Sequence, residues 1–350
     1  MSSAHRMDWA EARGIAVRAL TGHGVADGDA GAVADALVET TARGVATHGL
    51  RLLPGYLDDL ERGVANPRPK IGAVRESGPA VLLDADAALG VVAGLAGAAE
   101  AVRRAAEYGI AAVVVRNSNH FAAASIHSRA MSRAGMVGWV MTSASSRVAP
   151  YGGVAPLLGT NPVSVAAGAD GDHEFVLDMA TSQVCLGEVR ERGRRGRALE
   201  GGWALDGDGR ETRSPGAARA LSPLAPGYKG QGLGMAVTLM TAALADAPLD
   251  WQLDHIERAE AGRGREVAHF LLCLDPAFFG GGPEFADRLH DLVETVRGAG
   301  DSVRCPGDPE RERRRDALRD GVPLDPETAA SMRELARRYG ADETAARRPS

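Results

Sequence analysis

Residues 110–142 read IAAVVVRNSNHFAAASIHSRAMSRAGMVGWVMT and decide the fold class. The stretch opens with an unbroken apolar run, passes through a polar loop at 116–120, and continues into segments of helical and then extended character. With the residues that precede it, this stretch predicts a strand at 81–83, a helix at 89–108, a strand at 110–115, a helix at 121–134 and a strand at 136–142. The alternation of strands and helices predicts an α/β core.

Both ends of the chain are predicted to be helical. Asp8 can cap a first helix, the glycine break at 22–24 ends it, and Asp27 opens a second. Thr47 is predicted to cap a third helix that runs to Leu60. Elsewhere the sequence predicts strands at 163–167, 175–177 and 269–274, helices at 230–245, 284–297, 309–320 and 326–339, and loops at 151–162 and 190–227.

The composition excludes several classes of protein. The 350 residues carry a formal net charge of −6, which gives no electrostatic footprint for nucleic acid. No apolar stretch approaches the roughly 20 residues that span a bilayer, and residues 1–9 lack the apolar core of a signal peptide. The 3 cysteines are odd in number and lack metal-ligand spacing, so we expect a reduced, cytoplasmic protein without disulfides or a metal site.

The common nucleotide and hydrolase motifs are absent from the sequence. There is no G-x-G-x-x-G after a strand, no Walker sequence, no G-x-S-x-G elbow and no H-E-x-x-H. The glycines at 230–234 are closely spaced, but they begin a predicted helix and form a weak signal by themselves. The arginine cluster at 190–197 fits a solvated surface, with phosphate binding as the alternative.

Polar side chains at the ends of predicted elements are the candidate site residues. His120 lies between a buried strand and a helix, where α/β folds place ligands, and the amides that start this helix could face an anion. His48 and Asp178 are equally consistent with helix capping, and Glu188 is locally uninformative. Lys229 is one of 2 lysines among 40 basic residues and lies at the start of a predicted helix. A cation at this end opposes the helix dipole, which favours a role for Lys229 in ligand binding.

Several short segments carry a family resemblance when they are taken together and in order. They are THG at 47–49 with Pro54 and Tyr56, Gly63 with NP at 66–67, NSNHF at 117–121, PYGG at 150–153, LGTNP at 158–162, LDMATS at 177–182, GWALD at 202–206, and GYKG at 227–230 with Gly232. From about Trp9 to Tyr339, the chain resembles the type-2 malate/lactate dehydrogenase family. This family also holds ureidoglycolate and sulfolactate dehydrogenases and the Δ1-piperideine-2-carboxylate/Δ1-pyrroline-2-carboxylate reductases.

The resemblance implies an α/β fold of the sulfolactate/malate dehydrogenase type-2 kind, with a non-Rossmann cofactor domain and a helical domain formed by both chain ends. It implies an N-terminal helical segment (1–66), a mixed α/β cofactor- and substrate-binding core (67–300) and C-terminal helices (301–350) that pack back on the N-terminal ones. It also implies a homodimer that uses NADPH or NADH. The implied cofactor-binding residues are His120, Phe121, Ala122, Ala123, Ala124, Asp178, Met179, Ala180, Thr181, Ser182, Lys229, Gly230, Cys305, Pro306, Gly307 and Arg311.

The resemblance also indicates a branch of the family. His48 and His120 match the family's two active-site histidines. At the position of Glu188 the hydroxyacid dehydrogenases commonly have lysine, whereas the cyclic-imine reductases have an acid, as this chain does. That branch implies a trio of Thr47, His48 and Glu188, in which a hydroxyl and a carboxylate orient an imidazole proton donor. Alanine at position 122 also resembles the cyclic-imine reductases, because many dehydrogenases have glycine at this position.

Departures from the family pattern concern the substrate. The family usually has an arginine four residues after the first histidine, but this chain has Leu52 there, and the arginine is Arg51. We expect Arg51, Thr160 and Asn161 to contact the substrate. The loop at 143–146 (SASS) lacks the common Asn and Pro, which indicates an atypical substrate.

The sequence thus predicts an NAD(P)H-dependent reductase of a cyclic imine carboxylate such as piperideine- or pyrroline-2-carboxylate. The first alternative is an NAD(P)-dependent 2-hydroxyacid dehydrogenase for a malate-, lactate- or ureidoglycolate-like substrate. The second is an inactive family member that acts as a binding protein, which Leu52 and the altered 143–146 loop suggest. The expected partner is a small imine or 2-oxo acid, and neither nucleic acid nor membrane is expected as a partner.

Overall fold

The structure, a computed structural model, describes residues 5–225, 227–253 and 259–340. The helices are α1 (Trp9–Gly22), α2 (Asp27–Ala42), α3 (Leu53–Glu61), α4 (Gly90–Tyr108), α5 (Ala124–Arg133), α6 (Leu186–Arg194), α7 (Tyr228–Thr238), α8 (Gly282–Arg297), α9 (Asp308–Asp320) and α10 (Pro326–Tyr339). The strands are β1 (His5–Met7), β2 (Gly72–Ser77), β3 (Ala80–Asp84), β4 (Ile110–Ser118), β5 (Val137–Thr142), β6 (Val163–Ala167), β7 (Phe175–Met179), β8 (Ala204–Leu205), β9 (Glu211–Thr212), β10 (Ala220–Leu221), β11 (Val267–Leu274) and β12 (Val322–Leu324).

One compact unit joins the two chain ends and contains the described residues of Met1–Arg62 and Pro309–Ser350. Helix α1 packs on α2 and α10, and β1 pairs antiparallel with β12. Ile15, Leu37 and Met332 are fully buried in the core of this unit. The predicted helical region formed by both chain ends is confirmed, although residues 1–4 and 341–350 of the predicted end segments lie outside the described residues.

The second unit, Gly63–Asp308, is built on a seven-stranded sheet with the order β2-β3-β4-β11-β5-β6-β7. Strands β3 and β4 are parallel, and the other neighbours are antiparallel. Helices α4 and α5 pack on one face, over Val113, Val115 and Leu271. Helix α7 and the segment between it and β11 cover the opposite face, over Val114 and Phe270. Both faces of the central strands are therefore buried, as their continuous apolar sequences predict.

A small three-stranded sheet, β10-β8-β9, and helix α6 fill the region that was predicted as loop at 190–227. Strand β2 was also not predicted, because all its residues are exposed and its sequence does not alternate. Helix α7 ends at Thr238 and continues as a π-helical segment, Leu239–Ala243, instead of running as one α-helix to residue 245.

Two boundaries near candidate site residues differ from the prediction. Thr47 does not cap a third helix: it lies in a 3-10 turn, Ala46–His48, and α3 begins only at Leu53, with Pro54 in its first turn. The helix predicted from residue 121 begins at Ala124, because Ala122 has φ +62° and the next residue is extended. A left-handed alanine cannot continue a right-handed helix.

Three further findings concern membrane-spanning helices, cysteine thiols and metal-binding groups. Within the described ranges, no helix is long and apolar enough to cross a membrane. Cys185, Cys273 and Cys305 are free thiols. No three His, Cys, Asp or Glu side chains among the described residues are grouped so that they could hold a metal ion.

Candidate functional site

His120 lies just after β4, on a loop that neighbouring backbone holds in place. The side-chain amide of Asn119 donates to the carbonyls of Ala87 and Ala88 (2.8 and 2.9 Å). A Cβ on Gly90, the first residue of α4, would lie 2.4 Å from the carbonyl oxygen of His120, so only glycine allows this approach. His120 is half-buried, and its Nδ1 accepts from the amide of Ala122 (3.4 Å).

A stack of three rings underlies this loop. The Phe121 ring lies between those of His127 and His269, with centroids 4.6 Å away on each side. His269 bonds with the Thr142 hydroxyl through Nδ1 (2.7 Å) and with the Ser118 hydroxyl through Nε2 (2.8 Å). Burial lowers the pKa of His127 to about 4, and burial holds the pKa of His269 well below its usual range. The side chain of Phe121 therefore belongs to the core, so any contact of Phe121 with a cofactor is made by its main-chain atoms.

Asp178 joins the His120 loop to strand β7. Its carboxylate accepts from the amide of Ser125, in the first turn of α5 (2.8 Å). An acid at this point neutralises an amide of the helix start, as in N-capping. The Ser125 amide is therefore already satisfied by protein and is not left for an anion.

The segments at 158–161, 178–182 and 227–234 meet through main-chain hydrogen bonds, one close main-chain approach and one side-chain amide. The amide of Thr181 donates to the carbonyl of Thr160 (2.8 Å), and the amide of Leu224 donates to the carbonyl of Thr181 (2.9 Å). A Cβ on Gly230 would lie 2.0 Å from the carbonyl oxygen of Leu224, so only glycine fits at this position in the first turn of α7. The Asn161 side-chain amide donates to the carbonyl of Gly234 (3.1 Å). The sheet unit thereby brings together most of the segments that carry the predicted cofactor residues.

Lys229 occupies the first turn of α7. Its side chain is exposed, and none of the described residues pairs with its ammonium group. A cation at this end of a helix is unfavourable without a compensating anion.

The turn at 305–307 lies against β7. The amide of Val176 donates to the carbonyl of Pro306 (3.0 Å), and Gly307 has φ +98°, which favours glycine. The thiol of Cys305 is buried and belongs to the core. Arg311 lies in α9, within the helical unit.

His48 lies in the helical unit, in the turn after α2. Its Nδ1 is 3.0 Å from the Thr47 hydroxyl oxygen. The hydroxyl of Thr41 accepts from the amide of Leu50 (2.8 Å), and a Cβ on Gly49 would lie 2.1 Å from that hydroxyl oxygen. Burial lowers the pKa of His48, which favours a neutral imidazole at neutral pH.

Arg51 and Glu188 both form ion pairs. The guanidinium of Arg51 donates to Glu327 in α10 (2.7 Å). Glu188, in the first turn of α6, accepts from Arg192 one turn later (3.1 Å), and Arg192 also stacks over the Trp203 ring at 4.7 Å. Neighbouring arginines of the predicted cluster pair with carboxylates as well, which supports the interpretation of 190–197 as a solvated surface.

Sequence reasoning missed several residues that shape this region, among them Asn119, Ser125, Asp250 and His269. Each acts through partners distant in the chain, such as the 53-residue separation of Ser125 from Asp178. Only the spacing of Glu188 and Arg192, four residues apart on a helix, was a local signal that could have been found.

Comparison with known proteins assigns the family. The family model described as malate/L-lactate dehydrogenase matches residues 7–333. The chain belongs to this family. It is therefore an NAD(P)-dependent oxidoreductase, and the alternative of a non-catalytic binding protein has no support from these matches.

Individual relatives come from more than one branch. The chain is 35% identical over 312 residues (88% of this chain, 90% of the relative) to the (2R)-3-sulfolactate dehydrogenase (NADP(+)) of Chromohalobacter salexigens. It is 31% identical over 320 residues (89% and 92%) to the Δ1-pyrroline-2-carboxylate/Δ1-piperideine-2-carboxylate reductase of Pseudomonas syringae pv. tomato. The malate dehydrogenase structure from Pyrococcus horikoshii OT3 superposes with a TM-score of 0.87 at 29% identity, covering 98% of this chain and 97% of that one. The fold prediction is confirmed, and the identities are too similar to decide the branch.

Proposed function

We propose that this enzyme reduces the C=N bond of a cyclic imine 2-carboxylate, using NADPH or NADH. The observation that carries the proposal is the carboxylate of Glu188 in the first turn of α6, at the position where hydroxyacid dehydrogenases commonly have lysine. A protonated imine is cationic, and a nearby carboxylate stabilises a cation. A lysine at the same position suits an anionic 2-oxo acid better.

The proton is assigned to the imidazolium form of His48, and burial favours the neutral imidazole that remains after the transfer. Its Nδ1 lies 3.0 Å from the Thr47 hydroxyl oxygen, and this contact orients the ring. Reduction adds one hydride to the ring carbon and one proton to the ring nitrogen. The nicotinamide cofactor supplies the hydride when it is bound. His120, in the sheet unit, is the alternative candidate for the proton donor.

The residues that would hold the cofactor lie mainly in the sheet unit. The exposed ammonium of Lys229 fits a phosphate group as a point charge. Gly230, the residue after Lys229, approaches the carbonyl oxygen of Leu224 too closely for any side chain, which fixes the main chain beside that cation. The remaining residues assigned to cofactor contact are His120, Phe121, Ala122, Ala123, Ala124, Asp178, Met179, Ala180, Thr181, Ser182, Gly230, Cys305, Pro306, Gly307 and Arg311.

Replacing Lys229 tests the phosphate assignment. Lys229→Ala is expected to raise the dissociation constant of the reduced cofactor by about tenfold, the usual range for one charge-assisted hydrogen bond. Cofactor fluorescence titration measures it. Lys70, the only other lysine, is also exposed, and Lys70→Ala is the matched control. Equal affinities for both variants would remove Lys229 from the cofactor site.

Replacing Glu188 tests the choice of branch. Glu188→Lys is expected to reduce kcat/KM for an imine carboxylate by about tenfold or more, because it puts a cation where the substrate is cationic. The loss for a 2-oxo acid is expected to be smaller. Glu191→Lys makes the same charge change one turn along α6, at a residue paired with Arg194 and Arg195, and serves as the control. Equal losses on both substrates would remove the argument for imine reduction.

A 2-hydroxyacid dehydrogenase is the alternative function. The supporting observation is the ion pair between Glu188 and Arg192, because the guanidinium offsets the carboxylate's charge. The malate and sulfolactate dehydrogenases among the relatives agree with this alternative.

We also propose that the enzyme is a homodimer. Helix α7 and its π-helical continuation expose Tyr228 (69%), Met235 (52%) and Leu239 (63%). These residues are spaced by seven and four positions and share one helix face. An exposed apolar stripe of this kind is typical of an interaction surface. Light scattering coupled to size-exclusion chromatography is expected to give twice the chain mass, and a monomer would contradict the proposal.

A further inference from the structure

Asp250 is a fully buried acid in a short 3-10 turn after α7. One of its oxygens, Oδ2, accepts three hydrogen bonds: from the amide of Gly159 (2.9 Å), the side-chain amide of Asn161 (2.7 Å) and the hydroxyl of Thr238 (2.8 Å). No cation among the described residues pairs with it, and Oδ1 has no hydrogen-bond partner among them. Burial raises the pKa of this carboxyl group, in agreement with its enclosure.

The main chain of Asp250 holds a further segment. Its carbonyl accepts from the amide of Ser146 (3.0 Å), which lies in the 143–146 loop. That loop in turn touches the 158–161 loop, because a Cβ on Gly159 would lie 2.3 Å from the carbonyl oxygen of Ala144. One residue thus ties the 143–146 loop, the 158–161 loop and α7 together.

The bonds to Asp250 also fix Asn161 in an unusual conformation. Asn161 has φ +37°, which is sparsely populated for residues other than glycine. Its side-chain amide is shared between Asp250, the Thr238 hydroxyl and the carbonyl of Gly234. The carbonyl of the preceding Thr160 accepts a hydrogen bond from the amide of Thr181. Without the Asp250 carboxylate, the side chain that holds the strained backbone at 161 loses the shortest of its three hydrogen bonds.

A buried carboxylate without a cation is a costly way to stabilise a fold. Its desolvation opposes folding, and three hydrogen bonds to one oxygen offset this only in part. What the arrangement supplies is a fixed geometry among three segments, since a single oxygen determines where all three donors lie.

We propose that Asp250 is a positioning residue of the active site, which sets the 143–146 and 158–161 loops for substrate binding through Gly159, Asn161 and Ser146. The proposal rests on the assignment of Thr160 to the substrate. Asn161 is fully buried and holds its neighbour Thr160 in place, because its own side-chain amide is bound to Asp250, Thr238 and Gly234. Asp250 itself does not touch the substrate. It acts by holding the residues that do.

Hydrogen exchange followed by mass spectrometry tests the positioning without any turnover. In Asp250→Ala, amides at 143–161 are expected to exchange about tenfold faster, as for loss of one or two hydrogen bonds, while those of β4 keep the wild-type rate. Asp250→Asn keeps an acceptor oxygen, and its amides at 143–161 are expected to exchange as slowly as those of the wild type. Asp246→Asn removes the same charge at an exposed site nearby and is the control. Unchanged exchange at 143–161, or an equal rise throughout the sheet, would overturn the proposal.

Steady-state kinetics separate positioning from simple destabilisation. For Asp250→Ala we expect the KM of the substrate to rise about tenfold, with the cofactor dissociation constant near that of the wild type. A loss of active enzyme at unchanged KM would mean a structural role only and would contradict the proposal. Failure of the wild type to reduce any imine would refute the proposed function alone, because the exchange experiment and the KM for a 2-oxo acid still test Asp250.

Discussion

His48→Ala is expected to lower kcat for the preferred substrate by about a hundredfold or more, the usual range for loss of a general acid. The hydrogen bond between the Thr47 hydroxyl and Nδ1 orients the ring, so the variant loses a positioned proton donor and not only a polar contact. Stopped-flow or steady-state measurement of cofactor oxidation gives the rate. Cofactor affinity is expected to stay close to that of the wild type.

The control for this prediction is His23→Ala in the same unit. His23 bonds with the carbonyl of Ala19 and with Glu61, and it has no role in the proposed chemistry. Its variant is expected to retain wild-type kcat. A near-normal rate in His48→Ala would reassign the proton donor, with His120 as the next candidate.

Acidification is expected to destabilise the sheet unit through the buried histidines below the His120 loop. The pKa of His127 is lowered from 6.5 to about 4 by burial, so the folded state disfavours the proton that the unfolded chain accepts. The free energy of unfolding keeps its full value above pH 6.5 and decreases as the pH falls from there toward 4, because only the unfolded chain takes up the proton in that range. The decrease is about 3 kcal/mol for His127 alone, and His269 adds to it in the same direction.

Urea unfolding at a series of pH values between 4 and 7 measures this effect. His127→Gln removes one titrating group, while its amide can still donate to the carbonyl of Phe121, which His127 contacts at 3.0 Å. The variant is expected to show a shallower decline of the unfolding free energy below pH 6.5. An identical slope in the variant and the wild type would show that His127 does not contribute.

Much of the sheet could be predicted from its sequence because the central strands are buried on both faces. The apolar runs of β4, β5 and β11 were each recognised. The place of β11 between β4 and β5 was not, because hydrophobicity along a strand carries no information about its partners. Helix α6 escaped prediction since only Val189 is buried on it, which leaves no apolar face to detect.

The candidate site was predicted less completely than the fold. Residues in short motifs, such as His120 and Asp178, could be selected from the sequence by their family resemblance. The bond from Ser125 to Asp178 and the network around Asp250 depend on contacts between distant segments, which no local pattern encodes. Substrate binding by Arg51 stays a prediction, and the pairing of its guanidinium with Glu327 is another contact that no local pattern encodes.

Reduction of a cyclic imine is tested most directly by following oxidation of NADPH and of NADH by the wild-type enzyme with Δ1-piperideine-2-carboxylate, pyruvate and oxaloacetate in parallel. We expect kcat/KM for the cyclic imine to exceed that for either 2-oxo acid. Turnover of the oxo acids with none of the imine would contradict it and assign the enzyme to the hydroxyacid dehydrogenases.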